Sequence, residues 1–206
     1  AYDKELDVFI VSFSTAISPT QIYTIERKKR DLVVLHTNEK VLGIPEEHLS
    51  KGEDASFTSF DGLRVSARLY LPAQARGFEG PRPLVHYIHG GPQSQERPDF
   101  TWFSMPLIQF LTLNGFAVFV PNVRGSTGYG EDFANLIHHD YPGHDYDDLM
   151  TAVDQTIAKG FIDADNLFVT GGSGGGILTA WIVTKTDRFR AAVSQKPVIN
   201  WHSFVL

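Results

Sequence analysis

The 206-residue sequence has no cysteine. Disulfides, thiolate nucleophiles and cysteine-ligated zinc are therefore excluded, and any redox compartment is compatible with it. It also has no excess of positive charge. Eighteen Lys+Arg stand against 24 Asp+Glu, for a formal net charge of −6. A face that grips a phosphate backbone needs the opposite balance, so no nucleic-acid partner is expected. The dense basic run Arg27-Lys28-Lys29-Arg30 lies between two strand-like segments and reads as a solvated turn. No run approaches the ~20 apolar residues of a membrane span, so no membrane partner is expected. No signal peptide opens the chain. A cytoplasmic location is the expectation, with periplasmic or secreted locations open, because Ala1 need not be the natural start.

What the chain does have is core-forming material: 42% apolar residues, with 15 Phe, 7 Tyr and 3 Trp. Its length suits one domain, or one plus part of another.

Its most informative segment is Leu167-Phe168-Val169-Thr170-Gly171-Gly172-Ser173-Gly174-Gly175, followed by a long apolar run. A β-prone stretch stops at G-x-S-x-G and a helix-length stretch begins, which is the context of a nucleophile elbow. The sharp reversal leaves the Ser173 hydroxyl at the carboxyl edge of a sheet and at a helix N-terminus, where backbone N–H groups favour developing negative charge. A flexible linker would be flanked by polar, low-complexity sequence, and this segment is flanked by core. A dinucleotide loop fails because Ile177 and Thr179 stand where the third glycine belongs. A phosphate-binding loop fails for want of Gly-Lys-Ser/Thr.

A second strand-like run, Leu84 to Ile88, ends in His89-Gly90-Gly91-Pro92. In α/β-hydrolases the loop after the third strand supplies one oxyanion N–H and the residue after the nucleophile supplies the other. Gly91 and Gly174 take those two roles here. His89 reads as a loop-fixing ring rather than a catalytic one. A third glycine-rich loop, Asn122 to Gly130, follows another strand. Its Arg124 reads as a clamp on backbone carbonyls.

His89-Gly90-Gly91-Pro92, the segment Asn122 to Gly130 and the Gly-Gly-Ser-Gly-Gly elbow come in an order and spacing that resembles the prolyl oligopeptidase family of serine peptidases. The acylaminoacyl-peptidase and dipeptidyl-peptidase-like branch is the nearest in pattern, and the resemblance covers about residues 55–200. It implies an α/β-hydrolase sheet, mostly parallel with helices on both faces, and a β-propeller ahead of it. It implies a peptide substrate and acyl transfer through Ser173. A nucleophile and an oxyanion hole carry that chemistry, so no cofactor or metal is expected.

The triad order in this fold is Ser, then Asp or Glu, then His. After Ser173 the sequence offers only Asp187, which reads as a turn residue after the helix, and His202, which reads as lying at the end of the next strand. Neither fits, and in the resembled family the acid and base lie further on. The expectation is a fragment, the nucleophile half of a catalytic domain, inactive as a peptidase alone and with the remaining half as its partner. Homo-oligomerisation stays open. So do a carboxylesterase and an inactive relative.

Two units are expected: residues 1–50, carrying the last propeller strands and a linker, and residues 51–206, the partial catalytic domain. Strands are read at Val8–Phe13, Gln21–Glu26 and Leu32–Leu35, with turns at Ser18-Pro19-Thr20 and Lys28–Asp31. The alternative is that these strands extend the hydrolase sheet. A hairpin is read around Asp61-Gly62. Strands at 84–89, 116–122, 167–171 and 191–196 alternate with helices at about 101–113, 145–159 and 174–186, the pattern of a parallel sheet covered on both faces. His138-His139-Asp140 with His144-Asp145-Tyr146-Asp147-Asp148 offers metal-ligand chemistry. The acids suit a helix first turn better.

Overall fold

The computed structural model describes every residue except Arg30, Asp31, Leu42 and Leu206, and it contains two separate sheets. The first is an antiparallel meander of β1 (Tyr2–Asp3), β2 (Val8–Thr15), β3 (Ser18–Glu26) and β4 (Val33–Leu35). Alternating β-branched and aromatic residues drive it. The turn between β2 and β3 is Ala16-Ile17, not the expected Ser18-Pro19-Thr20, because Ser18 already pairs with Thr15. Pro19 is tolerated at the strand start, where β4 does not reach: β4 pairs only with Tyr23, Thr24 and Ile25. The expected Lys28–Asp31 turn and the basic run end partly outside the described residues. This sheet does not extend the second one. Phe9, Ile10, Phe13, Ile22, Val34 and Leu35 are all exposed on it.

The second sheet begins with the hairpin β5 (Glu53–Thr58) and β6 (Arg64–Tyr70), which turns at Asp61-Gly62 as the sequence predicts, with Gly62 at φ +89°. It continues with β7 (Arg82–Ile88), α1 (Met105–Leu113), β8 (Ala117–Pro121), α2 (Glu131–Asn135), α3 (His144–Ala158), β9 (Ile162–Gly172), α4 (Gly174–Lys185), β10 (Ala191–Gln195) and α5 (Trp201–Val205). The strand order is β10-β9-β7-β8-β6-β5. The pairs β10–β9, β9–β7 and β7–β8 are parallel, and β8–β6 and β6–β5 are antiparallel.

The two-residue period of β8 sets the layers. Ala117 and Phe119 face Ala152 and Val153 of α3, while Val118 and Val120 face Met105 and Ile108 of α1. Helix α4 closes a third cluster with Leu178 and Ile182 against Ile88, Leu149 and Val169. Helices therefore cover both faces, and six strands of a mostly parallel α/β-hydrolase sheet are present.

Three boundaries depart from the sequence reading. Helix α1 starts at Met105, not 101, because Pro106 suits only a first turn and the Thr101 and Ser104 hydroxyls bond to each other at 2.7 Å in the turn before it. Strand β9 begins at Ile162, five residues before the apolar run, where Arg82 pairs with it. His202 is not at a strand end: β10 stops at Gln195, and His202 lies on α5. Helix α2 has no counterpart in the sequence reading.

Candidate active site

Ser173 sits between β9 and α4 at φ 56° and ψ −117°, a left-handed conformation that is costly for a residue with a side chain. Two backbone bonds impose it. The Ser173 N–H donates to the Gln195 carbonyl on β10 (2.9 Å), and the Ser173 carbonyl accepts from Ile177 (3.0 Å) as α4 begins. The turn is this tight because the glycines let backbone meet backbone. A Cβ on Gly175 would overlap the Ile88 carbonyl at the end of β7, and one on Gly174 would overlap the Gly91 carbonyl. The side chain of Ser173 is exposed.

The structure thus brings Ser173, Gly174 and Gly91 together. All three line one open cleft of about 490 Å³. Gly91, at φ +119°, takes a backbone conformation that favours glycine. The other walls are Ile137, Ile177, Val198, Trp201 and Phe204, with His138, His139 and Tyr141 at one side. Apolar and aromatic surface thus lies beside the exposed Ser173 hydroxyl. A larger cavity of about 660 Å³, between α1 and residues 38–41, lies apart from these three residues.

His89 is buried. Its Nδ1 is 2.7 Å from the Gly90 carbonyl and its Nε2 is 3.0 Å from Ser126 Oγ, so the ring ties the β7 loop to the β8 loop. Burial holds its pKa below the usual histidine value. Arg124 does not clamp carbonyls, as its position in a glycine loop suggests. Its Nε and Nη2 donate to the two oxygens of Asp148 (2.9 and 2.8 Å), and Nη2 also donates to Asp61 (2.9 Å). The Phe60 ring lies 5.0 Å from the guanidinium. A carboxylate pair wins because both Arg124 and Asp148 are buried, where an unpaired charge is costly.

The acidic stretch accordingly divides. Asp145 caps α3 by accepting from the Gly143 and Tyr146 N–H groups (2.7 and 2.9 Å), and burial raises its pKa to about 6. Asp148 is committed to Arg124. His144 pairs with Asp147 at the surface (2.9 Å). Among the described residues, no group of three or more His, Asp or Glu is arranged to hold a metal ion. None forms a helix long and apolar enough to cross a membrane.

Asp187 and His202 are both exposed and neither lines the cleft. Among the described residues, Ser173 Oγ has no histidine or carboxylate within hydrogen-bond distance. The sequence reading missed the cleft walls. Val198, Trp201 and Phe204 recur at three-residue spacing, a helical signal too short to stand out. Tyr141, amid Asp140, Pro142 and Gly143, carried no signal beyond an aromatic among turn residues.

The sequence profile of the prolyl oligopeptidase family matches residues 101–206. An uncharacterized peptidase of Bacillus subtilis (strain 168), YuxL, is 41% identical over 197 residues, which is 95% of this chain and 29% of that protein. Dipeptidyl aminopeptidase BIII of Pseudoxanthomonas mexicana is 32% identical over 192 residues, 90% of this chain and 27% of that protein. The chain therefore spans less than a third of the length of these relatives. Among solved structures, a puromycin hydrolase superposes with a TM-score of 0.84 at 21% identity, over 96% of this chain and 30% of the other. The acylaminoacyl peptidase of Pyrococcus horikoshii gives 0.78 at 24% identity, over 91% and 29%. At those identities the superpositions speak for the fold.

Proposed function

The chain belongs to the prolyl oligopeptidase family, and from that premise we propose that it carries the nucleophile half of a serine peptidase, with Ser173 as the attacking residue. The observation that supports this reading is the strained, exposed Ser173 held against Gly91 and Gly174 at an open cleft.

In this reading Ser173 Oγ attacks the carbonyl carbon of a peptide and its proton passes to a histidine base. The N–H groups of Gly91 and Gly174 stabilise the oxyanion, an interaction worth on the order of 3 kcal/mol per donor in the transition state. The tetrahedral species collapses, the C–N bond breaks and the leaving amine takes the proton from the base. Water then hydrolyses the acyl-enzyme on Ser173 by the same steps. The base and its orienting acid come from sequence beyond these residues. The lengths of the relatives support that, as does the absence of a partner for Ser173 Oγ among the described residues. No metal or organic cofactor is required for this chemistry. The walls Ile177, Val198, Trp201 and Phe204 favour an apolar side chain on the acyl residue. The β1–β4 meander is read as the closing strands of a propeller that limits entry to short peptides, with the boundary to the catalytic domain near residue 50.

A fluorophosphonate probe with intact-mass detection tests this, on the 206-residue chain and on a longer polypeptide that completes the triad. Labelling of the longer protein alone, lost in Ser173→Ala, is the expected result. Labelling of both would mean that a base lies within these residues. Labelling of neither would leave an inactive relative. Matched peptide and ester substrates then separate a peptidase from a carboxylesterase acting through the same elbow.

A further inference from the structure

The first turn of α4 is Gly174-Gly175-Gly176. Glycine is less favourable than alanine at helical positions, so this turn is the least self-supporting part of the helix. It also carries the proposed oxyanion donor. The glycines follow from close approach: a Cβ on residues 174, 175 or 176 would run into the carbonyls of Gly91, Ile88 and Gln195 respectively. The site therefore needs a segment that is intrinsically loose to be held still.

Side-chain hydroxyls hold it. Each of the three glycine carbonyls accepts a hydrogen bond from a side-chain hydroxyl. Tyr141 Oη donates to Gly174 (3.0 Å), Thr179 Oγ1 to Gly175 (2.8 Å) and Ser194 Oγ to Gly176 (2.8 Å). The three hydroxyls come from three elements: the loop before α3, α4 itself and strand β10. The Tyr141 ring is fixed in turn, packed against the cluster of Ile88, Val123, Leu149, Val169, Leu178 and Ile182. Burial pushes its pKa above the usual phenol value, so it remains a donor across the neutral range. Thr179 is fully buried.

We propose that Tyr141 and Ser194 are positioning residues for acyl transfer: with Thr179 they clamp the glycine turn so that the Gly174 N–H is held beside Ser173. Neither need touch substrate for this role. The proposal rests on the Ser173 nucleophile reading, and it adds that catalytic geometry depends on hydroxyls outside the Gly-x-Ser-x-Gly motif.

Two measurements test it. The first is steady-state ester hydrolysis by the longer, triad-complete polypeptide, normalised to fluorophosphonate-titrated serine. Tyr141→Phe and Ser194→Ala are each expected to lower kcat about tenfold with KM within twofold, since small misplacements of catalytic groups cost this much or more. Ser194→Thr, which keeps the hydroxyl, should restore kcat. The second is amide exchange over residues 174–180 in the 206-residue chain, expected to accelerate about fivefold or more in both variants while the β7 and β8 amides are unchanged. A merely structural role would lower the melting temperature and leave kcat per titrated serine unaltered. That result, or unchanged exchange at the glycine turn, overturns the clamp. If the parent protein is never labelled, the nucleophile reading fails instead, and the exchange experiment still decides whether the hydroxyls hold the turn.

Discussion

Asp148 is fully buried and grips Arg124 with both carboxylate oxygens, Oδ2 on Nε at 2.9 Å and Oδ1 on Nη2 at 2.8 Å. Asp148 Oδ2 also accepts the Arg124 backbone N–H (3.1 Å), and Oδ1 accepts the Ser59 hydroxyl. One carboxylate on α3 therefore joins the loop after β8 to the β5–β6 hairpin. Removing it strands a buried guanidinium, whose remaining carboxylate partner, Asp61, is 39% exposed. Asp148→Ala should destabilise the chain by about 3–5 kcal/mol in urea unfolding. Asp61→Ala should cost far less, under about 1 kcal/mol.

Ser173 offers a test that separates strain from function. A serine held in the left-handed region costs on the order of 1–3 kcal/mol, and glycine has no such penalty. In the longer, triad-complete polypeptide, Ser173→Gly should raise the melting temperature while abolishing fluorophosphonate labelling. Ser173→Ala should abolish labelling without that gain. Equal melting temperatures for the two variants would show that the turn is not strained.

His86, fully buried on β7 and stacked on Phe119, has no hydrogen-bond partner for either ring nitrogen among the described residues. Burial lowers its pKa to about 3, from 6.5. The folded chain thus binds fewer protons there than the unfolded one, so its contribution to stability is lost as pH falls below 6.5. The slope is about 1.4 kcal/mol per pH unit until it levels near pH 3. His86→Leu should remove this slope from the stability–pH curve, measured by denaturant titration at each pH.

Glu96 acts with the opposite sign. Its carboxyl is buried, with the Tyr70 hydroxyl at 3.3 Å and the Ser104 hydroxyl at 3.5 Å. Burial pushes its pKa up to about 7 from 4.5. The Tyr70 bond pulls the other way, and the neighbouring charge of Asp99 adds to the rise. A raised carboxyl pKa favours the folded state below pH 4.5, and that advantage is lost as pH climbs through 7. Glu96→Gln should be the more stable protein at pH 8, by on the order of 3 kcal/mol, and should match the parent near pH 4.

The parts of this fold that could be read from sequence are those fixed by local steric need. The elbow and the His89-Gly90-Gly91-Pro92 loop announce themselves because close backbone contacts demand glycine, and β7 and β8 because burial on both faces demands apolar runs. What stayed hidden depends on distant partners. Arg124 and Asp148 are 24 positions apart and Arg124 and Asp61 are 63 apart, so nothing local to residue 124 reveals that it meets carboxylates rather than carbonyls. Ser18 and Pro19 look like a turn in isolation and become strand only through pairing with β2. The hydroxyls on the glycine turn were invisible for the same reason: Tyr141 and Ser194 lie 33 and 18 positions from the carbonyls they hold.

The parallel register of Ile88 on Gly171 sets the order in which this molecule can assemble. The β5–β6 hairpin closes across only a few residues. Joining β7 to β9 means closing a loop of about 80 residues, an entropic cost that only the finished core offsets. Ser173 comes later still, because its own N–H is anchored to Gln195 on β10. During synthesis Ser173 thus acquires its strained geometry only after β10 has emerged and docked. Until then a nascent chain carries the Gly-x-Ser-x-Gly motif without its turn.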